Sequence, residues 1–355
     1  MKEKLQADEQ KRKRLKRIVL CVLGVLIVIA MLSGYRLYRR VMSPNVTTPD
    51  KQEFSLYIPT GATYEQVKDS LYSHHLIVNK RSFEWVCRRK DYPEHVKPGR
   101  YVLQDGMNNN QLSNILRGGL QTPVKVTFNN MRDVKMLAGR VGEQIEADSL
   151  EIVTYLSNQE EVWKLGFDQR TIPALFLPNT YEFYWNTDAE KFVERMKNEY
   201  DKFWDEERQD KAKSLGLTQV QVSILASIVD KETNQTDEMP KIAGVYLNRL
   251  KSGWLLQADP TLVFALGDFE LKRVLNVHKE VESPYNTYKY PGLPPGPICI
   301  PSLASINAVL YAEKHNYYYF CAREDFSGYH NFAKTLTEHN QNALRYQKAL
   351  NQLNY

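Results

Sequence analysis

Four cysteines in 355 residues, with no CxxC pair and no grouping of Cys with His, leave neither a disulfide scaffold nor a zinc site as the organising device. Cys21 falls in an apolar run, while Cys87, Cys299 and Cys321 are widely spaced and read as small buried side chains, with a Cys299 to Cys321 pair left open. No GxSxG elbow presents a hydrolase serine, and no His-Glu-x-x-His helix presents a metal. Gly and Pro number only 17 and 16, which excludes a collagen-like or mainly disordered chain. The fold also lacks a cationic face. Of the net charge of +5, residues 1–40 carry 11 basic and 3 acidic side chains, and the remainder carries 36 and 39, a net −3. Nucleic-acid recognition needs positive charge concentrated on the folded part, so no nucleic-acid partner is expected.

There is one long hydrophobic run. IVLCVLGVLIVIAMLSGY at 18–35 has no charge, and Tyr38 and Val41 extend it. This is the shortest length that crosses a hydrocarbon core of about 30 Å. KRKRLKR at 11–17 precedes it, so the positive-inside rule puts the N-terminus in the cytoplasm and the rest of the chain outside. The run is longer than a signal-peptide core and no small-x-small cleavage site follows. The expected organisation is a basic tail at 1–17, a transmembrane helix at 18–38 and a linker at 39–53 rich in Pro, Thr, Asn and Asp.

The exported chain reads as α+β. Residues 54–77 alternate apolar and polar positions, turn at Pro59–Gly61, then place Tyr64, Val67 and Leu71 on one helical face. A helix at 82–90, a strand at 99–103 and a short helix at 108–119 complete a small α+β module over 54–119. A second strand-turn-helix at 124–145 matches the first in spacing, a weak sign of an internal repeat. A larger mixed α/β domain over 120–355 then turns largely helical, with helices expected at 150–156, 189–206, 218–229 and 239–250. FLPNTYEFYWNTD at 176–188 is dense in aromatics, read either as core packing or as a wall for the apolar face of a sugar.

Candidate chemistry clusters late in the chain. In VQVSILASIVDKET at 220–233, Glu232 follows Ile228 by four and Val229 by three, which sets its carboxyl beside the apolar helix face. Desolvation there raises the proton affinity of a carboxylate toward the range useful for a general acid. The bland alternative is a solvated carboxylate at a fraying helix end. Asp230 is a rival acid on a different face. Gln257, Asp259 and Thr261 gather around Pro260, enough to orient a polar ligand or merely to brace a loop. SPYNTYKYPGLPPGPICIPS at 283–302 holds six prolines and three tyrosines, and supplies Tyr285, Asn286 and Tyr288 on a stiffened wall. His330, beside Gly328 and Asn331, is expected in a loop, in reach of substrate or of the catalytic carboxylate; His339 reads as structural.

Taken in order, these segments resemble the YceG-like family of endolytic murein transglycosylases. In that family an apolar helix ends in Glu-Lys-Glu-Thr, and Asn-Arg-Leu, Leu-Gln-x-Asp-Pro-Thr, Asn-Thr-Tyr, Gly-Leu-Pro-Pro-Gly-Pro-Ile and Gly-x-His-x-Phe follow. Here they stand at 230–233, 248–250, 256–261, 286–288, 292–298 and 328–332. Asp230 replaces the family's first glutamate, Ala258 sits between Gln257 and Asp259, and Asn179 stands where Asp is common.

The resemblance implies a LysM-like small module at 54–119 and a YceG-like catalytic domain at 120–355. It implies cleavage of the β-1,4 bond from N-acetylmuramic acid to N-acetylglucosamine inside a glycan strand, leaving a 1,6-anhydro end. Glu232 takes the catalytic role, with Gln257, Asp259, Asn286, Tyr288 and His330 binding substrate or supporting the acid. No metal or organic cofactor is required. Partners are nascent peptidoglycan strands, with peptidoglycan polymerases as candidates, and location is the bacterial inner membrane with the catalytic domain outside. A muramidase-like hydrolase and a noncatalytic peptidoglycan-binding scaffold are the alternatives.

Overall fold

The computed structural model describes residues 1–271 and 273–352. They divide into two compact units, Met1–Val124 with Tyr184–Asn186, and the remaining described residues.

The first unit opens with α1, Lys2–Met42, a helix about 60 Å long at 1.5 Å per residue. Every large apolar side chain from Ile18 to Tyr38 is exposed in the protein. A helix apolar on all sides needs an apolar surrounding, and this one is long and apolar enough to cross a membrane. The helix persists to Met42, beyond the expected end at 38, and stops where Ser43 turns extended ahead of Pro44.

The next residues are not the free linker that their composition predicts. Val46 is buried, and the amides of Asn45 and Val46 both donate to the Met107 carbonyl at 2.9 Å. The Asn45 side chain donates to Asn109 Oδ1 at 2.6 Å and accepts the Asn79 amide at 2.7 Å. One buried valine and one fully bonded asparagine therefore stitch this segment into the unit. Polar composition signalled loop, but gave no sign that the loop's backbone would be paired.

Strands β1, Phe54–Ile58, and β2, Gly99–Leu103, pair antiparallel, with Phe54 opposite Leu103 and Ile58 opposite Gly99. Between them lie α2, Tyr64–Ser73, and α3, Lys80–Arg89, started by side-chain caps from Thr63 and Asn79. Helix α4, Asn109–Gly118, has an Asn108 capping box and stops at Gly119 in the left-handed conformation. Alternation along the strands turns Leu56, Ile58, Tyr101 and Leu103 inward onto Leu71, Phe83 and Leu112.

The second unit begins inside β3, Val124–Phe128, which leads into α5, Val134–Gly142, α6, Ser149–Ser157, and α7, Gln159–Lys164. Strand β4, Asn179–Phe183, pairs with β3, and α8, Ala189–Phe203, follows. The aromatic run at 176–188 largely builds core here. Phe176 and Phe183 pack on Phe192 with ring centroids 6.2 and 5.6 Å apart, and Tyr181 stacks on Phe128 at 5.7 Å.

Helix α8 stops at Phe203, short of the expected 206, and after Trp204 and Asp205 a separate helix α9, Glu206–Ser214, begins. Helix α10, Gln219–Glu232, is buried continuously from Val222 to Asp230 and forms the centre of this unit. Burying Leu225 and Ile228 completely contributes about 1.5–3 kcal/mol each. The Ser223 and Ser227 hydroxyls inside that stretch donate to carbonyls of their own helix, which removes the cost of burying them.

Helix α11, Met239–Lys251, crosses beside α10 and approaches the chain at Glu313 closely. A Cβ at Gly244 would stand 2.4 Å from the Glu313 carbonyl oxygen, so only glycine fits. Helices α12, Asp259–Leu266, and α13, Leu303–Leu310, were not foreseen; α12 starts at the Asp-Pro pair, where proline is accepted in a first turn. Strands β5, Tyr319–Ala322, and β6, His330–Ala333, form a hairpin with Tyr319 opposite Ala333, and α14, Leu336–Gln352, follows. All four cysteines are free, so Cys299 and Cys321 do not pair.

Candidate active site

Helix α10 delivers two carboxylates two residues apart, and the helix turn separates their environments. Asp230 points inward, 7% exposed, and accepts from Asn130 Nδ2 at 2.7 Å, the Ser302 amide at 2.9 Å and Ser305 Oγ at 3.0 Å. Ser302 caps α13, so Asp230 fastens the start of that helix to α10. Its oxygens are committed to structure.

Glu232, the last residue of α10, opens instead into a cleft of about 650 Å³ bounded by Arg132, Lys231, Asp259, Phe264 and Phe269. The carboxyl keeps one face toward this cleft and is otherwise closely surrounded by protein. Burial pushes its pKa from 4.5 up to about 7, the neighbouring Asp259 charge pushes the same way, and a hydrogen bond from Tyr246 and the positive charge of Arg249 oppose them. Near neutral pH the group is poised between its two protonation states.

Tyr246 and Arg249 come from one face of α11, three residues apart. The Tyr246 hydroxyl donates to Glu232 Oε1. Burial, and the carboxylate it faces, hold the phenol well above its usual pKa, so it stays a donor. Arg249, 8% exposed, spends its hydrogen bonds on backbone carbonyls, Nε on Tyr318 at 2.8 Å and a terminal nitrogen on Leu256. It thus pins the chain leading into α12 while placing a fixed positive charge near Glu232.

Asp259, the first residue of α12, shares the cleft with Glu232 and accepts a 2.5 Å bond from the Tyr288 hydroxyl. The two loops that carry them are latched together. Thr287 accepts the Gln257 amide on its carbonyl at 3.0 Å and the Ala258 amide on its hydroxyl at 3.0 Å, and its hydroxyl meets that of Thr261 at 2.8 Å. Asn286 is fully buried; its amide donates to Lys279 and Val281 carbonyls at 2.9 and 2.8 Å, and its oxygen accepts the Tyr288 amide. It supports Tyr288 and is closed to direct sugar contact. Gln257 has φ 49°, a left-handed backbone, and its exposed side chain is not among those bordering the Glu232 cleft.

His330 is not joined to Glu232. Its Nδ1 lies 2.7 Å from Glu238 Oε2, and its amide donates to Glu238 Oε1 at 2.9 Å. The Phe320 ring stands between, edge-to-face with both His330 and Tyr246, at 5.3 and 5.9 Å. Tyr246 and Glu238 are not singled out by the sequence, and Arg249 stands there only as part of the Asn-Arg-Leu motif, with no role at the site. The available signal was the pair of long polar side chains on the inward face of an otherwise apolar α11.

A larger groove of about 1630 Å³, bordered by Lys211, Lys251 and His315, contains neither Glu232 nor Asp259. Of the two, the smaller cleft combines an acid titrating near neutrality, a second carboxylate and aromatic side chains, a combination suited to proton transfer on a sugar-like ligand.

Residues 56–345 match the YceG-like family. The endolytic murein transglycosylase of Bacillus subtilis (strain 168) is 26% identical over 338 residues, which cover 91% of this chain and 92% of that one. The protein of the same name from Streptococcus pneumoniae (strain D39) is 26% identical over 336 residues, covering 85% of this chain and 60% of its own length. The crystal structure of a YceG-like protein of Listeria monocytogenes is 27% identical and covers 82% of this chain and 99% of its own, with a TM-score of 0.54. With a family match over most of its length and a solved relative of similar fold, the chain belongs to the YceG-like family.

Proposed function

We propose that the protein is a single-pass, membrane-anchored lytic transglycosylase that cleaves the β-1,4 bond between N-acetylmuramic acid and N-acetylglucosamine within peptidoglycan strands. The carrying observation is Glu232, whose carboxyl has its pKa raised to about 7 inside a walled cleft. The similarity to proteins named endolytic murein transglycosylases supports the substrate class.

In this reading neutral Glu232 gives its proton to the bridging oxygen as the bond to the muramic acid C1 breaks. The same sugar's C6 hydroxyl attacks C1, and the Glu232 carboxylate takes the proton that hydroxyl releases. The acid is thereby restored and no water is consumed. Tyr246 donates to the carboxylate in the charged interval, which favours proton departure and holds the other oxygen toward the substrate. Asp259, fixed by Tyr288, supplies negative potential where positive charge develops on the sugar ring. Phe264 and Phe269 give the cleft apolar aromatic surface suited to a pyranose, and Arg132, over the Phe269 ring at 4.4 Å and 3.6 Å from Asp133, brings a guanidinium to the same cleft for the acidic groups of muropeptides.

The β-α-α-β order of β1, α2, α3 and β2 supports a LysM-like reading of the small unit and a glycan-holding role for it. The basic tail at 11–17 supports a cytoplasmic N-terminus, with the chain beyond α1 outside the inner membrane where strands emerge from polymerases.

One observation favours a second reading. Asp259 stands in the same cleft as Glu232, and a hydrolase uses two carboxyl groups. Product analysis separates the two, because a lytic reaction leaves a 1,6-anhydro end and hydrolysis leaves a reducing end. Incubating the purified protein with defined glycan strands and weighing the new ends is the test.

A further inference from the structure

The flank of α1 on the folded side carries charge that topology alone disfavours. Arg36, Arg39 and Arg40 follow the apolar run directly, on the side where basic residues are normally scarce. They do not neutralise acids of the folded unit. Among the described residues no carboxylate lies within ion-pair distance of Arg36, Arg39 or Arg81, and Arg40 lies over the Trp85 ring at 5.0 Å.

These side chains converge. A cleft of about 740 Å³ lies where α1 meets α3, bordered by Arg36, Arg39, Arg40 and Arg81, with Leu32 and Tyr35 at its other end. Its walls are held in place. Asn109, 1% exposed, donates to the Arg40 carbonyl and to Ser82 Oγ, both at 2.9 Å, and so ties the end of α1 to α3 and α4. The four arginines thus border one cleft on a fixed frame, with no ion-pair partner among the described residues.

Depth identifies the ligand class. An apolar run of 18 residues spans about 27 Å of helix, close to the hydrocarbon thickness. With that run in the bilayer, Leu32 and Tyr35 stand at the hydrocarbon edge and the arginines in the headgroup layer. Tyr38, next to Arg39 in α1, and Val78, which borders the cleft, are both exposed, as interfacial anchors are. A ligand with an acyl chain toward Leu32 and an anionic oxygen cluster toward the arginines fits both ends, and guanidinium forks match phosphate oxygens in pairs.

We infer that this cleft is a binding site for the phosphate headgroup of a membrane lipid. The inference rests on α1 crossing the bilayer and is independent of the reaction at Glu232. Such a site would hold the small unit against the membrane surface by electrostatics in addition to the covalent tether.

The test places the full-length protein in nanodiscs containing photoactivatable phosphatidylglycerol or, separately, photoactivatable phosphatidylcholine, and maps cross-links by peptide mass analysis. Phosphatidylglycerol should label residues 32–45 and 78–82 several-fold more than phosphatidylcholine. Arg36→Gln with Arg39→Gln and Arg81→Gln should bring labelling by the two lipids to near equality, because each cation near the surface contributes to the anionic preference. Arg12→Gln with Arg14→Gln, in the distant basic tail, should leave it intact. All substituted side chains are exposed, and circular dichroism checks that folding survives. Equal labelling by the two lipids, or a preference that persists in the triple variant, would overturn the inference. Loss of labelling in millimolar inorganic phosphate would assign the site to free phosphate and overturn it as a lipid site.

Discussion

The Tyr246 hydroxyl donates to Glu232 Oε1 from the next helix, so the acid at the end of α10 is oriented by a residue of α11. This bond works against desolvation and the Asp259 charge, and the balance leaves the carboxyl titrating at about 7. Without the phenol the balance tips toward the proton. Tyr246→Phe is therefore expected to move the alkaline limb of the pH–rate profile to higher pH and to lower the maximal rate. An unchanged profile would show that the bond does not tune the acid.

Glu232→Gln keeps the volume and can still accept from Tyr246, but has no proton to give. Turnover should fall by about 100-fold to 10,000-fold, the usual contribution of general acid–base catalysis. Asp230→Asn should do the opposite. It weakens the acceptor set for Asn130, Ser302 and Ser305, costing about 1–3 kcal/mol of stability, while retaining most turnover below its melting temperature. Initial rates and melting curves on the same preparations separate the two effects.

The raised pKa also has a stability signature. The unfolded chain holds this carboxyl at its ordinary 4.5, the folded chain at about 7. Between those values the folded state binds more protons, so this group's contribution is fully present below pH 4.5 and is lost as pH rises through about 7. Glu232→Gln should accordingly stabilise the fold over wild type at pH 8, by on the order of 3 kcal/mol at most, and much less at pH 5, as read from melting curves. An equal effect at both pH values would contradict a desolvated acid.

Asn286→Ala removes two donors and one acceptor beneath Tyr288. The loop should loosen and, through it, the Tyr288 to Asp259 contact, raising KM more than it lowers kcat. Gln257→Ala, whose side chain faces solvent, should change neither greatly.

The local periodicities of the first unit were legible because its strands alternate and its helices have side-chain caps, as Thr63, Asn79 and Asn108 show. What failed was pairing at a distance. Nothing in polar residues 43–48 announces that Val46 is buried, and nothing in the aromatics at 176–188 distinguishes a core from a sugar wall until Phe192 is seen against them. Glu232 could be read as an acid beside an apolar face because helical geometry fixes that placement locally. Tyr246 lies fourteen residues away, and its meeting with Glu232 depends on how α11 crosses α10. His330 shows the reverse: a histidine in a polar loop looked available, and the fold gave it to Glu238.

The lytic reaction is distinguished from hydrolysis by whether the sugar's own hydroxyl or water attacks C1. Purified full-length protein, given defined glycan strands in oxygen-18 water, should yield 1,6-anhydromuramoyl ends that carry no heavy oxygen. A dominant primary product with a labelled hydroxyl at a reducing C1 would contradict the account, and would make Glu232 and Asp259 the two carboxyl groups of a hydrolase.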